Sequence, residues 1–163
     1  MTSKITARLA LAAAGATVLA GCLDTTEPDP SYACGVSANP TVAVAGDTVR
    51  AENGLKYIAG TVGDTARGDV VQNTNTVEVC YVGFFPNGQV FDRGALAADI
   101  PANQLIPGFL QGIVGMREGG TRRLIIPPAL GYGSTDVKDR TTGAVVIPAN
   151  STIVFDVGIM RIR

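Results

Sequence analysis

The chain has 163 residues, 46% of them apolar and 17% charged, which suits one globular domain with appendages and leaves too little chain for two cores. Its formal net charge of −1 becomes −3 if Lys4 and Arg8 leave with an N-terminal leader, because every Asp and Glu lies beyond residue 22; no nucleic-acid partner is expected of that balance. The absence of His removes Ser–His and Cys–His nucleophile pairs and the commonest transition-metal ligand, and three Cys separated by 12 and 46 residues offer no Cys-x-x-Cys spacing, so no metal site is expected.

Residues 1–21 read as a secretory leader: Lys4 and Arg8, then an Ala-rich apolar run from Leu9 to Ala20, too short for the ~20 apolar residues of a spanning helix. Leu19-Ala20-Gly21-Cys22 looks like a bacterial lipobox, whose cysteine is acylated and becomes the mature N-terminus. Two or three acyl chains, at about 0.8 kcal/mol per buried methylene, would hold a soluble domain at a bilayer. The expected localisation is therefore the cell envelope, extracytoplasmic and membrane-anchored. An ordinary secretory signal cleaved near Ala20 is the alternative, with Cys22 a plain thiol.

Residues 22–49 carry Pro28, Pro30 and Pro40 among Thr, Ser and Asn with no helical period, and read as an extended tether in which Val42–Val44 could add an edge strand. If Cys22 is acylated, Cys34 and Cys80 remain as a pair available for a disulfide in an oxidising compartment. An unstrained bridge across 46 residues would contribute about 4 kcal/mol by loop entropy. Two separate thiols are the alternative.

The folded domain is expected over residues 50–163. Gly54–Ile58 opens it as a strand, followed by turn signals at Val62-Gly63-Asp64 and Gly68-Asp69. Val77, Val79 and Tyr81 alternate with Glu78, Cys80 and Val82, which predicts a strand with one buried face, Tyr81 inward and Cys80 away. Pro86-Asn87-Gly88 reverses the chain in a hairpin and Val90-Phe91-Asp92 returns. Residues 105–116 form the one convincing helix, with Pro107 at its first position, Phe109 and Ile113 on one face and Gly115 as a stop. Strands follow at 121–127 and 152–160, where Ile153, Phe155, Val157 and Ile159 alternate; Arg122-Arg123 reads as a solvated strand edge. One short helix and an antiparallel sheet give an α+β domain.

Four segments carry further character in a fixed order: EVCYVGFFPNGQVFDR (78–93), LIPGFLQGIVGM (105–116), GGTRRLIIPPALGYG (119–133) and VVIPANSTIVFDVGIMRIR (145–163). Together they resemble the FK506-binding-protein (FKBP) family of peptidyl-prolyl cis-trans isomerases, over roughly residues 54–163. The resemblance implies a curved antiparallel sheet, a half-barrel, wrapped around one short helix, with an apolar groove between them that receives proline. It implies a pocket of Tyr81, Phe91, Leu105, Phe109, Ile147 and Phe155 as substrate-binding lining, with Asp92, Tyr132 and Ile106 carrying the polar chemistry. In the family the matching Asp lies against the twisting amide, the tyrosine hydroxyl can donate to a substrate carbonyl, and the backbone N–H at the Ile106 position does the same. The partners implied are proline-containing polypeptides and FK506- or rapamycin-type macrolides. No cofactor is implied, and a monomer is expected.

These residue types suit the reaction. Rotation about an X-Pro amide faces a barrier near ~20 kcal/mol because resonance holds the bond planar, yet no bond breaks. The catalyst needs neither nucleophile nor metal; an apolar, water-excluding pocket favours the less polar twisted amide. Three departures from the family pattern stand out. Phe109 occupies a position where many active members have Trp, the Ala-rich stretch between Asp92 and Leu105 is short, with Leu96 replacing a flanking aromatic, and the 134–146 loop is long and polar. They leave open a weakly active or inactive FKBP-like binding or chaperone module.

Overall fold

The alternating run at residues 76–84 becomes an inner strand of a six-stranded sheet in the computed structural model, which describes residues 36, 46–66, 69–100 and 105–163. Strands β1 (Thr48–Arg50), β2 (Lys56–Ala59), β3 (Thr76–Phe84), β4 (Val90–Asp99), β5 (Thr121–Ile126) and β8 (Ile153–Ile162) pair antiparallel in the order β1-β2-β5-β8-β3-β4. Register shifts in β3, at Glu78/Val79 against β8 and at Gly83/Phe84 against β4, add to the curvature of the sheet. The helix α1 (Pro107–Ile113) lies on the concave face with Pro107 in its first turn, and Gly115 follows at φ +78°. This is the α+β half-barrel the sequence leads one to expect.

Strand β1 starts at Thr48, so sheet pairing begins just before the expected boundary at residue 50. Val42–Val44 and residues 1–35, with the leader, Cys22 and Cys34, lie outside the described residues. The 134–146 loop contains a small separate hairpin, β6 (Val137–Lys138) and β7 (Val145–Ile147). Its turn is organised by Asp139, whose Oδ1 accepts from the backbone of Thr141 and Thr142 and from the Thr142 hydroxyl.

The main core lies between helix and sheet. Val77, Val79, Leu124, Ile126, Ile153, Val157 and Ile159 from the strands meet Phe109, Leu110 and Ile113 from α1. Two helical glycines permit the close approach. A Cβ on Gly108 would stand 2.5 Å from Ile126 Cγ2, and one on Gly112 would stand 2.6 Å from Leu124 Cδ1. Each glycine costs the helix up to about 1 kcal/mol in propensity, which the intimate packing offsets.

Strand β3 departs from the one-sided reading. Its outward residues Cys80, Val82 and Phe84 are as buried as its inward ones, in a second cluster with Val36 and Val154 on the convex face. Burial on this face follows from β3 being an inner strand with Val36 packed among its outward side chains, which a period-two pattern cannot reveal.

Arg122-Arg123 is likewise not a solvated edge. Arg122 Nη1 donates to the carbonyls of Gly112 (2.6 Å) and Val114 (3.1 Å), and its guanidinium lies 4.4 Å from the Tyr57 ring centroid. It closes the C-terminal end of α1, where the last carbonyls lack helical partners. Burial lowers its pKa. Arg123 makes a two-pronged ion pair with Asp156, both contacts 2.6 Å, beneath the Phe84 ring. Adjacent strand residues point to opposite faces, so one arginine serves each side of the sheet.

Candidate functional site: an aromatic groove with one carboxylate

A cavity of about 200 Å³ opens between α1 and the concave face of the sheet, lined by Tyr81, Asp92, Leu96, Leu105, Ile106, Phe109, Tyr132 and Phe155. Each wall has a local cause. Tyr81 follows Val77 and Val79 on the inward face of β3, Asp92 and Leu96 come from β4, and Phe155 from β8. Leu105 and Ile106 are the residues just before α1, while Phe109 points from its first turn into the core.

The rings meet edge to face. Phe109 and Phe155 are 5.3 Å apart at 88°, Tyr81 and Phe155 5.9 Å, and Tyr81 and Phe109 6.3 Å. Such pairs add about 0.5–1.5 kcal/mol each beyond area burial and hold the floor rigid.

Phe91 and Ile147 are not among the lining residues. Phe91 joins the aromatic cluster beside the cavity, 5.7 Å from Phe155 at 89° and 5.1 Å from Phe85. Ile147 is 3% exposed in the main core. Phe91 is the unpaired residue of the β3/β4 register shift, next to Asp92, so alternation does not fix which way it points. Leu96, on the shortened stretch, does face the cavity.

Gly83 went unassigned in the sequence. A Cβ there would stand 2.7 Å from both the Phe155 and Phe91 rings, so the bare backbone of β3 is the surface on which the two rings lie. A glycine inside an otherwise apolar strand was the available signal.

The polar groups gather at one side of the mouth. The Tyr81 hydroxyl donates to Asp92 Oδ2 at 2.9 Å, and Asp92 Oδ1 accepts the backbone N–H of Arg93 at 2.8 Å. Burial, then the hydrogen bond and charge of Asp92, push the Tyr81 pKa up to about 12. Burial, then Asp92, raise the Tyr132 pKa as well. Both hydroxyls therefore remain protonated donors at neutral pH. Tyr132 is 40% exposed at the rim, in a turn tied by Gly133 N–H to the Pro128 carbonyl and by Asn150 N–H to the Gly133 carbonyl. Ile106 accepts at its carbonyl from Phe109 and Leu110, while its own N–H makes no hydrogen bond among the described residues.

The Asn87-Gly88 turn brings Phe91 and Asp92 back beside β3. Gly88 N–H bonds the Phe85 carbonyl, and Gly88 alone takes positive φ, +89°. The reversal is thus a hairpin with a glycine bulge rather than a two-residue turn.

Comparison with known proteins decides the family. The family model described as FKBP-type peptidyl-prolyl cis-trans isomerase matches residues 68–160, more than half of the chain. The chain belongs to the FKBP-type peptidyl-prolyl cis-trans isomerase family. It is 36% identical over 121 residues to a probable FKBP-type peptidyl-prolyl cis-trans isomerase of Haemophilus influenzae, covering 72% of this chain and 46% of that protein. It is 36% identical over 117 residues to FK506-binding protein 4 of Chaetomium thermophilum, covering 68% of this chain and 23% of that one. The chain thus spans less than half the length of these curated relatives. The FKBP fold matches the crystal structure of AtFKBP13 with a TM-score of 0.62 at 29% identity, covering 71% of this chain and 98% of that one. It matches that of FkpA from Escherichia coli with a TM-score of 0.58 at 30% identity, covering 71% and 51%.

Proposed function

We propose that this FKBP-family protein is a peptidyl-prolyl cis-trans isomerase that accelerates X-Pro rotation during folding of secreted or envelope polypeptides. The observation that carries the reading is the convergence of Tyr81, Asp92, Ile106, Phe109, Tyr132 and Phe155 on one groove sized for a proline ring and its flanking amides. The aromatic floor takes the pyrrolidine and excludes water, which favours the twisted amide with its reduced C–N double-bond character. The Ile106 N–H and the Tyr132 hydroxyl are donors for the carbonyls on either side of the ring. Asp92, held by Tyr81, sits against the rotating amide. No covalent intermediate is needed.

The lipobox at Leu19–Cys22 supports a lipoprotein anchored at Cys22 in an extracytoplasmic membrane leaflet, acting on proline-containing segments as they fold. FK506- and rapamycin-type macrolides, bound by the family generally, would compete for the same groove.

The test is cis/trans exchange of an X-Pro peptide with the full chain, beside Asp92→Ala and Tyr132→Phe. Exchange should rise well above background for the parent and fall in both variants. Saturable macrolide binding with no acceleration by the parent would replace the enzyme with a binding or chaperone module. Labelled fatty acid should attach to the full chain and not to Cys22→Ser; equal labelling of both would remove the anchor.

A further inference from the structure

The cluster on the convex face contains a sulfur that the isomerase reading does not use. Cys80 is fully buried and disulfide-bonded. The chain has two other cysteines, Cys22 and Cys34, and both lie outside the described residues. Against Cys80 packs Val36, 3% exposed and grouped with Val82, Phe84 and Val154, with Val90 and Ile125 at the margin. Cys34 is two residues from Val36, a span of at most about 7 Å, and a disulfide needs Cα atoms about 4.4–6.8 Å apart. Cys22 is 14 residues from Val36 and occupies the acylation position of the lipobox, where its thiol would be consumed as a thioether.

We propose that Cys34 is the partner of Cys80, and that the bridge staples the segment bearing Val36 across the back of the sheet, opposite the proline groove. Side chains alternate along β3, so Tyr81 faces the groove while its neighbour Cys80 faces away. The three cysteines then divide between two tasks. The leash between anchor and domain shortens from residues 22–49 to residues 23–33, a reach of at most about 40 Å. The domain is held at its convex face, and the mouth of the groove is turned from the point of attachment. The leash length rests on the lipoprotein reading; the bridge does not.

Chemically, the bridge forms by thiol–disulfide exchange with an external disulfide oxidant. That oxidant first forms a mixed disulfide with one of the two cysteines. The other cysteine's thiolate attacks it, the Cys34–Cys80 bond forms, and the oxidant leaves as its dithiol with both electrons. Since Cys80 has no exposed surface, a reductant reaches it only when the segment lifts off or the domain opens.

Proteolytic mapping of the full chain under non-reducing conditions is the test. A Cys34–Cys80 cross-linked peptide is expected in the parent and in Cys22→Ser, which separates this outcome from any failure of acylation. A Cys22–Cys80 peptide, or unmodified thiols at Cys34 and Cys80, would overturn the proposal. Cys34→Ser should lower the thermal midpoint by roughly 10 °C and abolish its dependence on dithiothreitol. X-Pro exchange should be unchanged while the variant is folded. An unaltered midpoint with unaltered dithiothreitol dependence would equally overturn it.

Discussion

The Tyr81 hydroxyl donates to Asp92 Oδ2 at 2.9 Å, joining the inward face of β3 to the start of the returning strand β4. The bond fixes the carboxylate at the mouth of the groove and leaves Oδ1 on the Arg93 N–H. Tyr81→Phe keeps the ring floor and removes this restraint. X-Pro exchange should fall about tenfold, and stability by about 1 kcal/mol, as expected for a lost bond to a charged acceptor at a half-exposed site. Peptide exchange and denaturant titration of the purified variant check the two numbers.

Burial of the Tyr81 hydroxyl, and after it the bond to Asp92, sets a pH dependence. The folded-state pKa of Tyr81, about 12, lies above the ordinary 10, so its contribution to stability is complete below pH 10 and is lost as pH rises through 12. Between those values the parent should lose stability faster than Tyr81→Phe. Urea midpoints of the two proteins from pH 9 to 12 will show convergence; parallel curves would mean that the tyrosine titrates normally.

Gly83 sets the seat of the aromatic floor. Gly83→Ala places a methyl 2.7 Å from the Phe91 and Phe155 rings, both of which are wedged against other aromatics. Overpacking of this kind costs about 1–3 kcal/mol. Peptide affinity should fall with it, since Phe155 must move. Denaturation together with a peptide-binding titration separates this from a general loss of fold.

Asp156 is 6% exposed and its carboxylate is held by Arg123. Arg123→Leu leaves that charge buried without its partner and should cost about 3–5 kcal/mol. The double change Arg123→Leu with Asp156→Leu should recover most of the loss, because two desolvated charges are exchanged for apolar packing. Both are read from chemical denaturation, and X-Pro exchange should be near the parent value in the double variant, whose substitutions lie away from the groove.

Much of the fold was legible because its signals are local. Strict alternation placed β3 and β8, Pro107 and Gly115 bracketed the helix within about a turn, and Asn87-Gly88 marked the hairpin. The family resemblance added what periodicity could not, the expectation that Tyr81, Phe91, Asp92, Leu105, Ile106, Phe109, Tyr132, Ile147 and Phe155 share one groove, and all of these except Phe91 and Ile147 line the cavity together.

What the chain alone determined, then, is element type, order and the inward face of each strand, since backbone propensity and period-two burial act between near neighbours. The tertiary structure alone decided depth. Phe91 joins the ring cluster and Ile147 the main core without lining the cavity itself, Leu96 faces it, and Gly83 becomes a seat for two rings. Arg122 and Arg123, alike in sequence, go to a helix end on one face and a buried ion pair on the other. Those placements depend on which strand lies next to which and what covers the sheet. These contacts join residues far apart in the chain, and no local pattern encodes them.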